Sequence, residues 1–257
     1  MPRNDFALLE RLRSETGWTI TYRNNLNSEY LFEVYCVLAT LVALTKIEYL
    51  CPTNEVRLDA QNQAPYFAPT TGGQDRRIGS AEDIAKRFDP SAFLVRGSEP
   101  ISLFYQGYPF VNSRLRPDIT LIRGKVSTTT SRGIGHNLIT VSIQRSLSEQ
   151  PTIAEVYTNM LTHTGPLPAA YALPKPIRVL PEILEEVTTG KPIGVIRTQM
   201  KDYQSTFSPK NTILITQDLI SNRSRMADMV LDGQRPQSEA FLELVNHLTD
   251  YFRNKGL

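Results

Sequence analysis

The chain has 257 residues and a formal net charge of +2, with ordinary apolar and charged content. It is long enough to bury a full core, and it has no global field that argues for or against a polyanionic partner. Two cysteines, Cys36 and Cys51, are too few for a disulfide framework and read as buried thiols of a reducing compartment.

The opening residues, MPRNDFALLERLRSETG, are charged throughout and contain no secretory apolar core. Residues 5 to 14 read as a short amphipathic helix. Asn27 or Ser28 can cap a second helix running to about Thr45. Its apolar run, YLFEVYCVLATLVAL, contains a glutamate and falls short of a membrane span. A cytoplasmic protein with no membrane partner is therefore expected. IEYLCP and EVRLDA read as short strands, residues 59 to 79 as a polar loop, and AEDIAKRF as a helix opened by a Ser80/Asp83 capping box.

ISLFYQGYPF and DITLIRG are β-rich, and Lys125 to Asn137 reads as a long Thr/Ser/Gly turn. NLITVSIQRS alternates as a strand, with Leu138, Thr140, Ser142 and Gln144 on one face. TIAEVYTNMLT then reads as a helix, AAYALP as a strand and residues 181 to 190 as a helix. IGVIRT and TILITQD read as strands, and residues 236 to 254 as a closing helix. No repeat or linker interrupts this mixture, so one α/β domain spanning 1–257 is expected.

Two carboxylates do not fit a purely structural pattern. Glu33 is the only charged residue from Tyr30 through Thr45, on a helix apolar around its whole circumference. A carboxylate buried there without a partner costs several kcal/mol or takes up a proton. Its structural alternative is the exposed first turn, paired with the helix N-terminus. Asp118 stands directly ahead of a β-branched run, in SRLRPDITLIRG. It is either turn punctuation after Pro117 or a carboxylate held at the mouth of a sheet.

The order of these segments resembles the PD-(D/E)xK nuclease superfamily, whose core is a mixed β-sheet flanked by helices, the restriction-endonuclease-like fold. YLFEVYCVLATL resembles its first helix and places Glu33 at the helix glutamate. RPDITL resembles its second motif and places Asp118 at the metal-binding aspartate. ITVSIQRS aligns with the third motif, and TIAEVYTNML followed by AAYALP resembles the helix and strand that complete the core. The likeness spans about residues 28–175 and leaves 176–257 as a C-terminal extension.

The resemblance implies nucleic acid, DNA first, as partner, and Mg²⁺ or Mn²⁺ as cofactor. A homodimer or a larger nuclease or defence complex is compatible with it. In that alignment Ser142 stands where the second metal-binding carboxylate belongs, and Gln144 where the lysine belongs. Phosphodiester hydrolysis needs hard oxygen ligands and a cation beside the attacking water, and neither residue supplies them. A migrated carboxylate, Glu155 or less readily Glu149, would complete a metal set with Glu33 and Asp118, with Gln144 placing the water. Arg145 or Lys125 would stand in for the lysine charge.

Arg114, Arg116, Arg123, Lys125, Arg132 and Arg145 lie near these motifs in the chain and are the expected phosphate contacts. The three histidines, His136, His163 and His247, have no second ligand at metal-binding spacing. Three readings follow. The first is a nucleic-acid-binding protein with an eroded or rearranged nuclease site, the second an active Mg²⁺-dependent endonuclease, and the third a catalytically dead scaffold subunit.

Overall fold

A computed structural model describes residues 4–22, 28–58, 89–106, 115, 117–133, 136–159, 179–220, 226–235 and 238–257. A mixed six-stranded sheet forms its centre. Its strands are β3 (Ala92–Arg96), β4 (Glu99–Tyr105), β5 (Ile119–Arg123), β9 (Ile183–Thr188), β10 (Asn211–Thr216) and β11 (Met229–Leu231). The spatial order is β11-β10-β9-β5-β4-β3. β9, β10 and β11 run parallel, whereas β5 is antiparallel to both β9 and β4. Helices cover both faces, the general architecture expected from the mixture of strand and helix patterns.

One face is closed by α2 (Ser28–Lys46) and α4 (Ser238–Asn254). α2 has the length and apolarity of a membrane span, but its side chains are buried almost all round, in one core with Leu103, Ile119, Leu121, Ile183, Val187 and Phe241. That burial explains why its sequence lacks a polar stripe. The other face is closed by α3 (Ile193–Phe207), through Ile196, Met200, Tyr203 and Phe207 over Ile122, Leu184 and Leu214. β9, α3 and β10 thus form a β-α-β unit whose helix starts at the carboxyl end of β9.

Between β5 and β9 the chain builds a second sheet of three antiparallel strands. These are β6 (Lys125–Gly133), β7 (His136–Gln144) and β8 (Thr152–Asn159). Val126, Val141, Ile143 and Ala154 anchor it to the α3 side of the core. Two further strands, β1 (Thr19–Tyr22) and β2 (Glu55–Leu58), pair in parallel, and α1 (Asn4–Thr16) precedes them.

Several expectations change. Residues 152–159 are strand, not helix, as suits their β-branched and aromatic content. Residues 183–188 are likewise strand rather than helix: every side chain is buried, so no alternation of polar and apolar marks them. IGVIRT opens a helix rather than forming a strand, and packing of every third or fourth residue on the sheet overrides its β-branched residues. The Lys125–Asn137 segment is mostly strand β6. IEYLCP contributes only an isolated bridge, Leu50 to Val95. The expected loop at 59–79, the AEDIAKRF helix and the AAYALP strand lie outside the described residues.

Candidate functional site

The strand next to β5 in the sheet is β9, about sixty residues further along the chain, and not β7. Asp118 and Glu186 therefore lie side by side where β5 begins and β9 ends, with Glu33 of α2 near enough for its charge to act on Asp118. Asp118 is the residue just ahead of β5. Its Oδ2 accepts from the Val187 backbone N–H at 2.8 Å, extending the β5–β9 ladder by one side-chain bond. Its backbone carbonyl accepts from Gln106 N–H at 2.8 Å, and Gln106 has a left-handed backbone (φ 50°). Glu186 follows Glu185 on β9, on the strand beside Asp118, and points to the α3 face.

Each carboxyl is held by protein donors. Glu186 Oε1 is 3.0 Å from Lys191 Nζ, and its Oε2 accepts from Tyr203 Oη at 2.9 Å. Gln199 Nε2 donates to the same tyrosine oxygen at 2.6 Å. Glu33 Oε2 accepts from Gln106 Nε2 at 2.7 Å and from the Tyr105 hydroxyl. Lys191 is one-third exposed whereas Glu186 is buried, so the ammonium is the part of this pair that faces solvent.

The electrostatics follow from two buried carboxyls, Glu33 and Glu186, near a half-buried third, Asp118. Burial raises the Asp118 pKa well above the carboxylate range, and the charges of Glu186 and Glu33 push it further; the Val187 N–H opposes them. Burial likewise raises Glu33, against the stabilising bonds from Tyr105 and Gln106. For Lys191 burial acts downward, but the attraction of Glu186 outweighs it and the net shift is upward. Lys191 is therefore an ammonium at neutral pH, suited to donate and to neutralise but not to accept a proton.

Among the described residues no three His, Cys, Asp or Glu side chains form a ready-made ligand group for a metal. The carboxyls are turned instead onto protein donors. Carboxyl oxygens are nonetheless the hard ligands that a divalent cation such as Mg²⁺ prefers. Asp118 and Glu186 are the residues able to hold one, with Glu33 flanking them. Two buried hydroxyls on the same sheet face, Thr120 Oγ1 and Thr188 Oγ1, have no hydrogen-bond partner. They leave unused polar capacity beside the carboxyl pair.

The other expected site residues lie elsewhere. Ser142 and Gln144 are on β7 in the small sheet, and Gln144 Nε2 donates to the carbonyls of Leu147 and Glu149. Glu155 sits opposite Val141 on β8, not on a helix behind β5. Arg123 and Lys125 are at the end of β5 remote from Asp118. There Arg123 pairs with Glu182 at 3.2 Å and Lys125 stacks over Phe93 at 5.3 Å. Arg145 follows β7 at that same end, since Gln144 pairs with Lys125. Arg123, Lys125 and Arg145 are therefore a strand length away from Asp118. Arg114 and Arg116 lie outside the described residues.

Glu186 and Lys191 were missed by sequence reasoning. The available signal was an acidic pair inside an otherwise apolar run, ILEEV, followed by Gly190 and Lys191 before a new helix. No protein-family model, curated protein or solved structure matches the chain.

Proposed function

We propose that the protein is a metal-dependent nucleic-acid phosphodiesterase of the PD-(D/E)xK type with a rearranged third motif. The observation that supports this most is the placing of Asp118 beside Glu186 where β5 begins and β9 ends, with Glu33 near and the Lys191 ammonium against Glu186. Helix glutamate, strand aspartate and neighbouring-strand glutamate come in the order that the family uses. In this reading β9 takes the role first expected of β7, with Glu186 as the third-motif carboxylate. Thr188 stands where the strand lysine belongs, and Lys191, three residues later, supplies the charge.

A bound Mg²⁺ or Mn²⁺ would neutralise phosphate charge and make water more acidic. The chain's own contribution is positional. Asp118 is fixed by Val187 N–H, Glu186 by Tyr203 and Lys191, and Glu33 by Tyr105 and Gln106. Lys191, kept protonated, is placed to donate to a phosphate oxygen and to stabilise the charge that grows on it as water adds and the ester oxygen leaves.

A second reading keeps binding without cleavage, favoured by the threonine at position 188 and by the tie of Lys191 to Glu186. Incubation with duplex and single-stranded DNA in Mg²⁺ or Mn²⁺, beside Asp118→Ala, separates the two. Cleavage lost at least 100-fold in Asp118→Ala supports the enzyme, and binding without cleavage supports the second reading. Cleavage that persists in the variant overturns the site, and neither binding nor cleavage leaves the scaffold.

A further inference from the structure

We propose that Lys191 is the resident counter-ion of the Asp118–Glu186 carboxyls, and that it yields Glu186 to a divalent cation and turns to the nucleic-acid phosphate. The inference deepens the metal-dependent reading above and rests on it.

The placement of donors around Glu186 carries it. Oε2 accepts from the Tyr203 hydroxyl at 2.9 Å, and the tyrosine oxygen is itself held by Gln199 Nε2 at 2.6 Å. Tyr203 and Glu186 are each 1% exposed, so this half of the arrangement is built into the α3 layer. Oε1 has a different partner, Lys191 Nζ at 3.0 Å, on a side chain one-third exposed. Oε1 is therefore the oxygen on the solvent side, and the ammonium covers it.

Asp118 stands across from Glu186, one step beyond the last paired residues of β5 and β9, Ile119 and Glu185. Residues so opposed have Cβ atoms about 5 Å apart, close enough for one small cation to take an oxygen from each. The Glu186 oxygen open to such a cation is Oε1, because Oε2 already serves Tyr203. Lys191 and a divalent cation are thus alternative occupants of the same oxygen.

The balance between them follows from charge and from how Lys191 is mounted. Asp118 and Glu29 attract the ammonium as well as Glu186. A doubly charged cation gains about twice the Coulomb energy from each carboxylate. Lys191 lies in the link from β9 to α3, between Gly190 (φ 65°) and Pro192. Gly190 N–H donates to Asp218 Oδ2 at 2.6 Å, which anchors the link, while the space beside Gly190 is open. The backbone can therefore stay as the flexible four-carbon stem swings. The displaced ammonium remains beside the carboxyls, placed to donate to a phosphate oxygen. Lys191 in this way couples metal binding to phosphate binding, since the group that leaves Glu186 is the one that meets the substrate.

The test reads metal affinity and stability beside cleavage. Titrations of the full chain with Mn²⁺, followed by the paramagnetic resonance of the free ion, compare wild type, Lys191→Met, Lys191→Arg and Asp118→Asn. Met keeps the unbranched stem and removes the charge, whereas Arg keeps the charge. Lys191→Met should bind Mn²⁺ at least tenfold more tightly than wild type, Lys191→Arg about as wild type, and Asp118→Asn at least tenfold more weakly. Before Mn²⁺ is added, Lys191→Met should melt below wild type, because Glu186 has lost its counter-ion. Saturating Mn²⁺ should then raise its midpoint by more than it raises that of wild type. Cleavage by Lys191→Met at saturating Mn²⁺ should stay about tenfold or more below wild type, so affinity and rate move in opposite directions. Lys191→Gln, which removes the charge but keeps a donor for Glu186, carries the same expectation if Lys191→Met does not fold. Equal or weaker Mn²⁺ binding in the uncharged variant, with binding still lost in Asp118→Asn, overturns the exchange and leaves the carboxyl site standing. Mn²⁺ binding by neither wild type nor the uncharged variant, or binding untouched by Asp118→Asn, overturns the site and the exchange with it.

Discussion

Glu185 and Glu186 are neighbours on β9, both buried, and the sheet sends them to opposite faces. Glu185 faces α2, where Thr40 Oγ1 donates to its two oxygens at 3.0 and 3.2 Å. Burial pushes its pKa up to about 8, with the Thr40 bond acting against that rise. Glu186 faces α3 and meets an ammonium, a tyrosine hydroxyl and a second carboxyl. The same side chain thus becomes a neutral core group on one face and a member of a charged cluster on the other. The difference lies in the partners the two layers provide, not in the residue type.

The largest expected effect tests the Glu185 half. A folded-state pKa of about 8 lies above the unfolded value. Below the unfolded pKa both states hold the proton and nothing is lost. As pH rises towards 8 the unfolded chain ionises while the folded chain does not, so stability falls, and above 8 it levels off. Glu185→Gln keeps the shape and removes the titration. Urea melts of wild type and variant from pH 5 to 9 should diverge with rising pH, by up to several kcal/mol. Parallel curves would mean that Glu185 is already ionised in the fold.

Next in size is Glu186→Gln. Cleavage in Mg²⁺ should drop at least 100-fold with the melting midpoint little changed, since the substitution relieves repulsion with Asp118 as it removes a bond to Lys191. Equal activity in Glu185→Gln and Glu186→Gln would erase the distinction between the two faces. Lys191→Ala should lower cleavage about tenfold or more, with Lys191→Arg restoring part of it. Because Glu186 is buried, loss of its ammonium partner in Lys191→Ala should also lower the melting midpoint. The smallest effect belongs to Thr40→Val. Loss of the bond to Glu185 should destabilise by about 1 kcal/mol at pH 6 and move the Glu185 titration still higher, readable from the same pH series.

Much of the frame was legible in the sequence. The helix at 28–46, the strands around 101–105, 119–123 and 211–216, and the closing helix follow from apolar runs and periodicity that local physics enforces. Glu33 was conspicuous because an isolated charge within an apolar helix needs a partner, and its partners, Tyr105 and Gln106, are seventy residues away. β9 was not legible. Its residues are buried on both faces, so the period-two signal vanishes, and the leucine and glutamates of EILEEV favour a helix when read alone.

The sequence by itself determined that a buried strand follows Asp118 and that Glu33 interrupts an apolar helix, because apolar runs are properties of the residues and their near neighbours; that Glu33 is buried came from the fold. Only the tertiary structure decided which strand lies beside Asp118. Sheet order is set by packing of whole layers, and here an inserted three-stranded sheet separates β5 from its neighbour in the chain but not in space. That choice removed Ser142 and Gln144 from the side of Asp118 and brought Glu186 and Lys191 to it.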